Sequence, residues 1–179
     1  MNADFIYTYP PLIPGILKRR YKRFLADIEL ESGEIITAHC ANTGPMIGVC
    51  NVDSRVYDSQ SDNPKRKLAY SWELIEVAGT WVGINTALPN RVIKQVLEQE
   101  KLPPLKGKYT KVRPEVPYGK EKKSRIDFIL TKDSEESPIY LEVKNTTLAK
   151  ENIALFPDTV TTRGQKHLKE LMDLLPHAQ

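Results

Sequence analysis

Polar and apolar residues alternate in several short segments of the first 84 residues. The segment RFLADIELE places four apolar residues on one face, namely Phe24, Ala26, Ile28 and Leu30. A period of two is typical of a half-buried β-strand. A turn at Ser32-Gly33 leads into a second strand, EIITAHC, and GVCNVDSRVYD is a third, interrupted candidate. We expect AYSWELIEVA and TWVGINT to form a hairpin about Ala78-Gly79.

These five short strands are not accompanied by any segment with a helix-length pattern. The combination predicts a small closed β-barrel, such as the five-stranded OB-fold. A small SH3-like barrel has almost the same sequence pattern and stays open as an alternative.

The spacing of apolar residues becomes helical after residue 84. In LPNRVIKQVLEQEKL, Pro89 suits the first helical turn. Val92, Ile93, Val96 and Leu97 then form one apolar stripe. Pro103-Pro104 ends this predicted helix.

Two strand-like segments, SRIDFIL and PIYLEVKNTTL, precede a final helix that begins at Thr161 or Thr162. We expect this helix to bury its apolar residues, which are Leu168, Leu171, Met172 and Leu175. Helix, strands and helix in this order predict an α/β unit. The predicted fold class is therefore α+β, with an OB-like barrel at 1–84 and an α/β domain at 85–179.

The positive charge of the chain is concentrated in two segments. The formal net charge is only +3, but residues 101–125 carry nine Lys or Arg and two acids. A second segment, KRRYKR at 18–23, has five bases in six positions. Such asymmetry predicts a polyanionic partner, and a solvated charged face is the alternative.

Nine basic residues of these two segments are the candidate contacts to DNA phosphates. They are Lys18, Arg19, Arg20, Lys22, Arg23, Lys108, Lys111, Arg113 and Arg125. Three tyrosines lie among these bases and could stack on unpaired bases. They are Tyr21, Tyr109 and Tyr118, and the alternative is that they cap hydrophobic strands.

The cysteine content and the N-terminus restrict the compartment. Cys40 and Cys50 form no disulfide framework, and we expect reduced thiols. The N-terminal MNADFIYTYPPLIPG is interrupted by prolines and does not resemble a signal peptide. No apolar stretch is long enough to cross a bilayer. The expected compartment is the cytoplasm, without a membrane partner.

Two acids and a lysine are predicted to meet on adjacent strands. Alternation puts Asp127 on the same face of SRIDFIL as Arg125 and Ile129. In YLEVKN, Glu142 and Lys144 share a face. Strands joined by a short polar loop are normally neighbours, so Asp127 and Glu142 can converge with Lys144 one pleat further along.

Two adjacent carboxylates repel each other unless a cation lies between them. Mg²⁺ prefers carboxylate and water oxygens and leaves room for a phosphate group. The arrangement therefore predicts a metal site that hydrolyses phosphodiesters. The alternative is a surface-facing sheet with an ordinary salt bridge across the strands.

Several ordered blocks of the chain resemble those of one known family. They are RYKRFLADIEL, AHCANTGPM, RKLAYSWELIEV, VGINTALPNRVI, SRIDFIL, YLEVKN and LFPDTVTTRGQKHLKEL. This series resembles the sugar fermentation stimulation protein (SfsA) family of prokaryotes. The resemblance implies an N-terminal OB-fold, a PD-(D/E)XK nuclease-like domain and association with DNA, single- or double-stranded.

The resemblance also implies roles for individual residues. Asp127 and Glu142 would be ligands of Mg²⁺ or Mn²⁺, together with the backbone carbonyl of Val143. Lys144 would be the catalytic lysine. A further acid usually precedes the aspartate, and Glu115 is our choice.

Two other sets of residues are implied less directly by the family. Glu100 is the second candidate for the further acid. Gln165 and Lys166 lie where the superfamily often places a supporting polar residue on the last helix. The alternative for Glu115, Gln165 and Lys166 is an ordinary solvent-facing side chain.

The chain departs from the family pattern in two places. Members of the family normally continue beyond the last predicted helix, whereas this sequence stops at LLPHAQ. We expect an open sheet edge, either because the form is shortened or because a partner or a second copy (a homodimer) completes the fold. The block VCNVDSRVYDSQSDNP also diverges from the pattern expected there.

The leading hypothesis is a DNA-binding protein with a metal-dependent site that cleaves phosphodiesters, a Mg²⁺-dependent DNA endonuclease. The alternative is a non-catalytic DNA-binding regulator of sugar-metabolism genes that retains a nuclease-like fold. A third hypothesis is a regulator that binds carbohydrate or nucleotide, since OB barrels also bind oligosaccharides.

Overall fold

A computed structural model describes residues 6–119, 124–132, 137–151, 153–156 and 161–173. The chain forms two compact units. The barrel unit contains Thr8–Leu88 and Asn145–Asp158, and the α/β unit contains Pro89–Lys144, Met1–Tyr7 and Thr159–Gln179. The predicted domain boundary between residues 84 and 85 stays a prediction.

Six strands form the sheet of the barrel unit. They are β1 (Leu12–Tyr21), β2 (Leu25–Leu30), β3 (Ile35–His39), β4 (Arg55–Gln60), β5 (Tyr70–Val77) and β6 (Thr80–Gly83). The strand order is β3-β2-β1-β4-β5-β6, and β3 also pairs with β5 in parallel. This last pairing closes β1 to β5 into a five-stranded barrel, with β6 added to β5 outside the ring. The predicted OB-like barrel is confirmed, but its membership differs from the prediction.

The difference concerns β1, which the sequence pattern did not predict as a strand. In the sequence, Pro14 and Gly15 suggest a break. In the structure, the β1–β2 pairing shifts register between Leu17 and Arg19, so inward and outward residues do not alternate regularly along this strand. A Cβ atom at position 15 would lie 2.5 Å from Cγ2 of Ile28, so the close approach of β1 to β2 requires glycine there. The predicted strand TWVGINT is instead the outer strand β6.

Two of the four apolar residues that alternation assigned to one face, Ala26 and Ile28, are fully buried in the barrel core, and Leu30 is partly buried against it. Val56 and Trp72 complete this part of the core. Phe24, by contrast, precedes β2 and is exposed. Of the interrupted third candidate, only the part from Arg55 onward is strand, in β4, and its pairing with β5 shifts register between Tyr57 and Asp58.

The α/β unit consists of two helices and a small sheet. Its elements are α1 (Leu88–Glu98), a 3₁₀ turn (Pro103–Leu105), β7 (Lys111–Tyr118), β8 (Ser124–Thr131), β9 (Ile139–Leu141) and α2 (Thr162–Met172). The sheet order is β7-β8-β9, with both pairings antiparallel. Two short strands, β10 (Ala149–Lys150) and β11 (Ile153–Ala154), pair within the barrel unit. No helix in the described ranges is long and apolar enough to cross a membrane.

Helix α2 begins where the sequence predicted but presents a different face. Thr161 caps the helix, since its hydroxyl oxygen accepts a hydrogen bond from the Gly164 N–H at 3.0 Å. Leu168 and Met172 are 63% and 65% exposed, so the prediction that they are buried is wrong. Leu171 does pack, against the cluster of Tyr118, Ile126 and Ile129. Position 175 lies outside the described residues.

The inward positions of α2 are occupied by the polar residues His167 and Glu170 together with Leu171. Residues 168 and 172 each follow an inward residue by one position, which turns them about 100° away around the helix. The packed face of α2 therefore combines the polar residues His167 and Glu170 with Leu171. A prediction based on the apolar stripe of the helix could not identify this face.

Candidate metal centre

The strand register sets the two predicted acids opposite each other. Phe128 pairs with Leu141 and Ile129 with Tyr140. Carried one residue further, this register places Asp127 opposite Glu142. Strand β9 ends at Leu141, so Glu142 lies just beyond the regular ladder, whereas the sequence predicted a longer strand. Side chains in such opposed positions share one face of a sheet.

The carboxylate of Asp127 is held by two donors from different elements. The backbone N–H of Val143 donates to Oδ2 at 2.7 Å. The side-chain amide of Asn90 donates to Oδ1 at 2.7 Å. Asn90 lies in the first turn of α1. Sequence reasoning missed Asn90, because an asparagine after Pro89 indicates only a helix start.

Glu142 carries the charge pair that the spacing predicted. Its Oε1 accepts from the ammonium of Lys144. The two side chains differ in exposure, with 12% of Glu142 and 44% of Lys144 accessible. The second oxygen of Glu142, Oε2, is buried and has no hydrogen-bond partner among the residues that the structure describes. A buried carboxylate oxygen without a partner is costly, so stability alone is a weak reason for this pair.

Helix α2 adds two groups that the sequence did not single out. Nδ1 of His167 lies 3.8 Å from Oε1 of Glu142. Glu170 pairs with Lys166 at 3.6 Å through one oxygen. Within the described part of the chain, His167 Nδ1 and Glu170 Oε2 are both buried without a hydrogen-bond partner.

The structure leaves Gln165 and Lys166, our sequence-based candidates on α2, exposed. A role for Gln165 stays a prediction. The spacing of His167 and Glu170, three positions apart and therefore on one helical face, is the signal that could have found them.

The pKa of Tyr118, at the end of β7, is shifted by the charges of this cluster. Burial, followed by the negative charges of Glu142, Glu170 and Asp127, raises the pKa of Tyr118 to about 12. Its hydroxyl is buried, and none of the described residues forms a hydrogen bond with it. Three carboxylates thus act on one buried phenol, and two of them, Glu142 and Glu170, also pair with lysines.

Glu115 and Glu100, the two candidates for a further acid, differ in position. Pro114 pairs with Phe128 and Val116 with Ile126, so Glu115 lies opposite Asp127 in the register. Its φ of 52° departs from strand geometry, and its side chain is exposed. Glu100 follows α1 and is exposed, and its charge adds to burial in raising the pKa of Tyr109. The register therefore favours Glu115 as the further acid, which stays a prediction.

The donor set fits a hard divalent cation with few protein ligands. Asp127 and Glu142 supply carboxylate oxygens, and Glu142 Oε2 is a buried oxygen that lacks any other partner. Among the residues that the structure describes, no group of three or more His, Cys, Asp and Glu side chains is arranged to hold a metal ion. Mg²⁺ commonly uses one or two carboxylates and keeps several waters, so two acids are sufficient.

The basic segment 18–23 of the barrel unit is partly committed to internal contacts. Lys18 pairs with Asp53 at 3.0 Å and with Glu29 at 3.3 Å. Arg19 pairs with Asp27 at 2.7 Å and lies over the ring of Tyr21, 4.6 Å from its centroid. These contacts hold the side chains against the barrel and reduce the charge that they offer to a ligand.

The other three bases of this segment behave differently from one another. One guanidinium nitrogen of Arg20 donates to three backbone carbonyls, those of Arg23, Asn42 and Gly44. Arg23 donates to the carbonyl of Thr43 at 2.9 Å. Lys22 is exposed at the β1–β2 turn. The turn therefore offers Lys22 to phosphate most directly, while Arg20 is mainly structural.

In the second basic segment, the four predicted phosphate contacts are exposed, namely Lys108, Lys111, Arg113 and Arg125. Arg125 also donates to the carbonyl of Glu115 at 2.9 Å. Residues 120–123 of this segment lie outside the described residues. Tyr109 and Tyr118 are 4% and 5% exposed, which favours the alternative that they cap hydrophobic strands over stacking on bases.

Two family models match the chain. A model described as the sugar fermentation stimulation protein RE domain matches residues 87–179. A model described as the SfsA N-terminal OB domain matches residues 19–84. These matches agree with the barrel unit and with the mixed α/β region that follows it.

Similar proteins are found in cyanobacteria. A "sugar fermentation stimulation protein homolog" of Crocosphaera subtropica is 84% identical over 179 residues, which are 100% of this chain and 75% of that protein. A homolog with the same description from Synechocystis sp. is 69% identical over 176 residues, 98% of this chain and 74% of that protein.

One similar solved structure is described as Pyrococcus furiosus SfsA in complex with Ca²⁺. It matches with a TM-score of 0.79 and 29% sequence identity, over 94% of this chain and 69% of that one.

Proposed function

Since this chain belongs to the sugar fermentation stimulation protein (SfsA) family, we propose that it binds DNA and cleaves phosphodiester bonds at a divalent-metal site. The observation that carries the proposal is the hydrogen bond from the Val143 N–H to Asp127 Oδ2 at 2.7 Å, which brings the residue next to Glu142 to Asp127. The β8–β9 register, continued one residue beyond its last pair, sets Glu142 opposite Asp127. Among the described residues, Oε2 of Glu142 is buried without a hydrogen-bond partner. The Ca²⁺ in the Pyrococcus furiosus structure supports a divalent cation in the family.

Each residue of the proposed site has a distinct task. Asp127, Glu142 and the carbonyl of Val143 would hold Mg²⁺ or Mn²⁺. The ion would supply Lewis-acid stabilisation of the charge that develops on the phosphodiester. Lys144 is exposed at the rim and paired with Glu142, so its ammonium can turn toward a phosphate oxygen or orient the attacking water. His167, on the partly buried face of α2, has Nδ1 3.8 Å from Oε1 of Glu142 and would restrict the movement of that carboxylate.

Affinity for DNA would come from phosphate contacts by exposed bases. Lys22 in the barrel unit and Lys108, Arg113 and Arg125 in the α/β unit are the accessible candidates. Such contacts carry no sequence information and weaken steeply with salt. OB barrels commonly bind oligonucleotides, which supports a role for the barrel unit in DNA binding.

Cleavage assays with matched variants test the proposal. Plasmid, single-stranded and branched DNA are incubated with EDTA, Mg²⁺ or Mn²⁺. Wild-type protein should cleave only with metal, and Glu142→Ala and Glu142→Gln should lose the activity. Glu98→Gln removes an exposed acid of α1 and serves as the control with unchanged cleavage. Equal activity of Glu142→Gln and wild type would reveal a contaminating nuclease and remove the proposal.

A DNA-binding regulator without turnover is the second candidate. It is favoured by one observation, namely that the described residues provide no third His, Cys, Asp or Glu ligand beside the two acids. Fluorescence anisotropy with labelled DNA distinguishes the two candidates. Binding that survives Asp127→Ala, without cleavage in either metal, would favour the regulator.

A further inference from the structure

We propose that Asn90 is a positioning residue that orients the carboxylate of Asp127 toward the metal ion. This inference rests on the proposed function, because it assigns Asn90 a task at the same site. The motivating contact is the 2.7 Å hydrogen bond from the Asn90 amide to Asp127 Oδ1.

The geometry fixes Asp127 from two sides. The amide of Asn90 binds one carboxylate oxygen, and the N–H of Val143 binds the other, both at 2.7 Å. One donor comes from helix α1 and the other from the backbone just beyond β9, so rotation of the carboxylate about its last torsion breaks at least one bond. Helix α1 is itself anchored, since Val96 and Leu97 are buried. Asn90 therefore transfers the rigidity of the helix to the carboxylate.

The chemical type of the donor matters as much as its position. Both donors to Asp127 are neutral, so they orient the carboxylate without cancelling its charge. Glu142, by contrast, is paired with the ammonium of Lys144. Within the described ranges Asp127 forms no salt bridge. A lysine or arginine at position 90 would compete with a cation, whereas an asparagine donates a hydrogen bond and leaves the negative charge in place.

The contact differs from helix capping. An asparagine cap uses its side-chain oxygen to accept from a backbone N–H of its own first turn. Asn90 lies within α1 and uses its amide nitrogen to reach a residue 37 positions away. Groups that orient a ligand in this way typically contribute 10–100-fold to metal affinity or activity.

Calorimetric titration with Mn²⁺ tests the inference without an activity assay. Asn90→Ala is compared with Gln99→Ala, a control on an exposed residue just after the same helix, and with Asp127→Asn. We expect Asn90→Ala to bind Mn²⁺ roughly 10–100-fold more weakly and Gln99→Ala to match wild type. In an Asp127→Asn background, Asn90→Ala should cause no further loss.

Urea unfolding in EDTA separates positioning from folding. Asn90→Ala should retain a cooperative transition, because alanine is favourable inside a helix. If Asn90→Ala does not fold, Asn90→Leu keeps the volume and the helix preference and carries the same expected loss of affinity.

The outcomes separate the inference from the proposed function. Wild-type affinity in a folded Asn90 variant overturns the positioning role and leaves the metal site intact. Absence of Mn²⁺ binding in wild-type protein overturns the proposed function and this inference with it. A loss confined to the Asn90 and Asp127 variants supports both.

Discussion

Nδ1 of His167 lies 3.8 Å from Oε1 of Glu142, which brings helix α2 to the carboxylate that also pairs with Lys144. The sequence placed the supporting polar residue two positions earlier, at Gln165. Residues two positions apart lie about 200° from each other around a helix. Gln165 and His167 therefore face opposite ways, and variants of each can test the two assignments separately.

We predict that His167→Ala lowers both Mn²⁺ affinity and metal-dependent cleavage by roughly tenfold, because Glu142 loses a neighbour that limits its movement. Gln165→Ala should leave both quantities unchanged, since Gln165 is exposed. Calorimetric titration and the plasmid assay measure the two effects. The reverse ranking of the variants would favour the original assignment to Gln165.

A buried acid in the barrel predicts a pH-dependent stability. Asp58 is 0% exposed, and neither of its carboxylate oxygens has a hydrogen-bond partner. Burial, reinforced by the charge of Glu73, raises the pKa of Asp58 from 3.8 to about 8. The folded state therefore binds this proton more tightly than the unfolded state. Its contribution to stability is complete below about pH 4 and is lost as the pH rises to about 8.

We predict that Asp58→Asn makes the protein more stable than wild type at pH 7, and that the gain grows by up to about 1.4 kcal/mol per pH unit between pH 4 and 8. The amide is neutral at every pH, so the cost of ionising a buried carboxyl disappears. Urea unfolding of both proteins across this range measures the difference. A gain independent of pH would contradict the assignment.

The basic turn predicts two opposite phenotypes. Arg20→Ala should destabilise the protein by roughly 2–3 kcal/mol, because three backbone carbonyls lose a charged donor. Lys22→Gln should change stability by less than about 0.5 kcal/mol, because the side chain is exposed.

In contrast to its small effect on stability, we predict that Lys22→Gln weakens DNA binding. If Lys22 contacts a phosphate of duplex DNA, Lys22→Gln lowers the slope of log K against log salt by about 0.9. Anisotropy at several salt concentrations measures the slope. An unchanged slope would remove Lys22 from the interface.

The hairpin between β5 and β6 can be strengthened by a single substitution. Ala78 and Gly79 have φ of 49° and 77°, a pair of positive values for which asparagine-glycine is preferred. We predict that Ala78→Asn raises the free energy of unfolding by roughly 0.5–1 kcal/mol. Gly79→Ala should lower it by about 1 kcal/mol, although no atom within 4 Å obstructs a Cβ there. Thermal unfolding measures both changes.

Local patterns predicted much of the fold and part of the site. Alternation in RFLADIELE correctly assigned Ala26 and Ile28 to the core, because the period of a strand fixes which side chains share a face. The short connection also predicted that the strands before and after it are neighbours, and β8 and β9 do pair, with Phe128 opposite Leu141. Strand β1 was missed because a close packing contact at Gly15 and a register shift hid its period.

By itself the sequence determined the two helices, the strands β2, β3, β5, β6 and β8, the family and the acid–lysine pattern, because each depends on residues that are near one another along the chain. Only the tertiary structure decided which face of α2 packs, which basic residues bind the barrel itself, and that Asn90 reaches Asp127. These relations join residues that are distant in sequence, and their energies depend on burial and on the direction of individual side chains. The periodicity of a single segment gives neither the burial of a side chain by distant residues nor the direction in which it points.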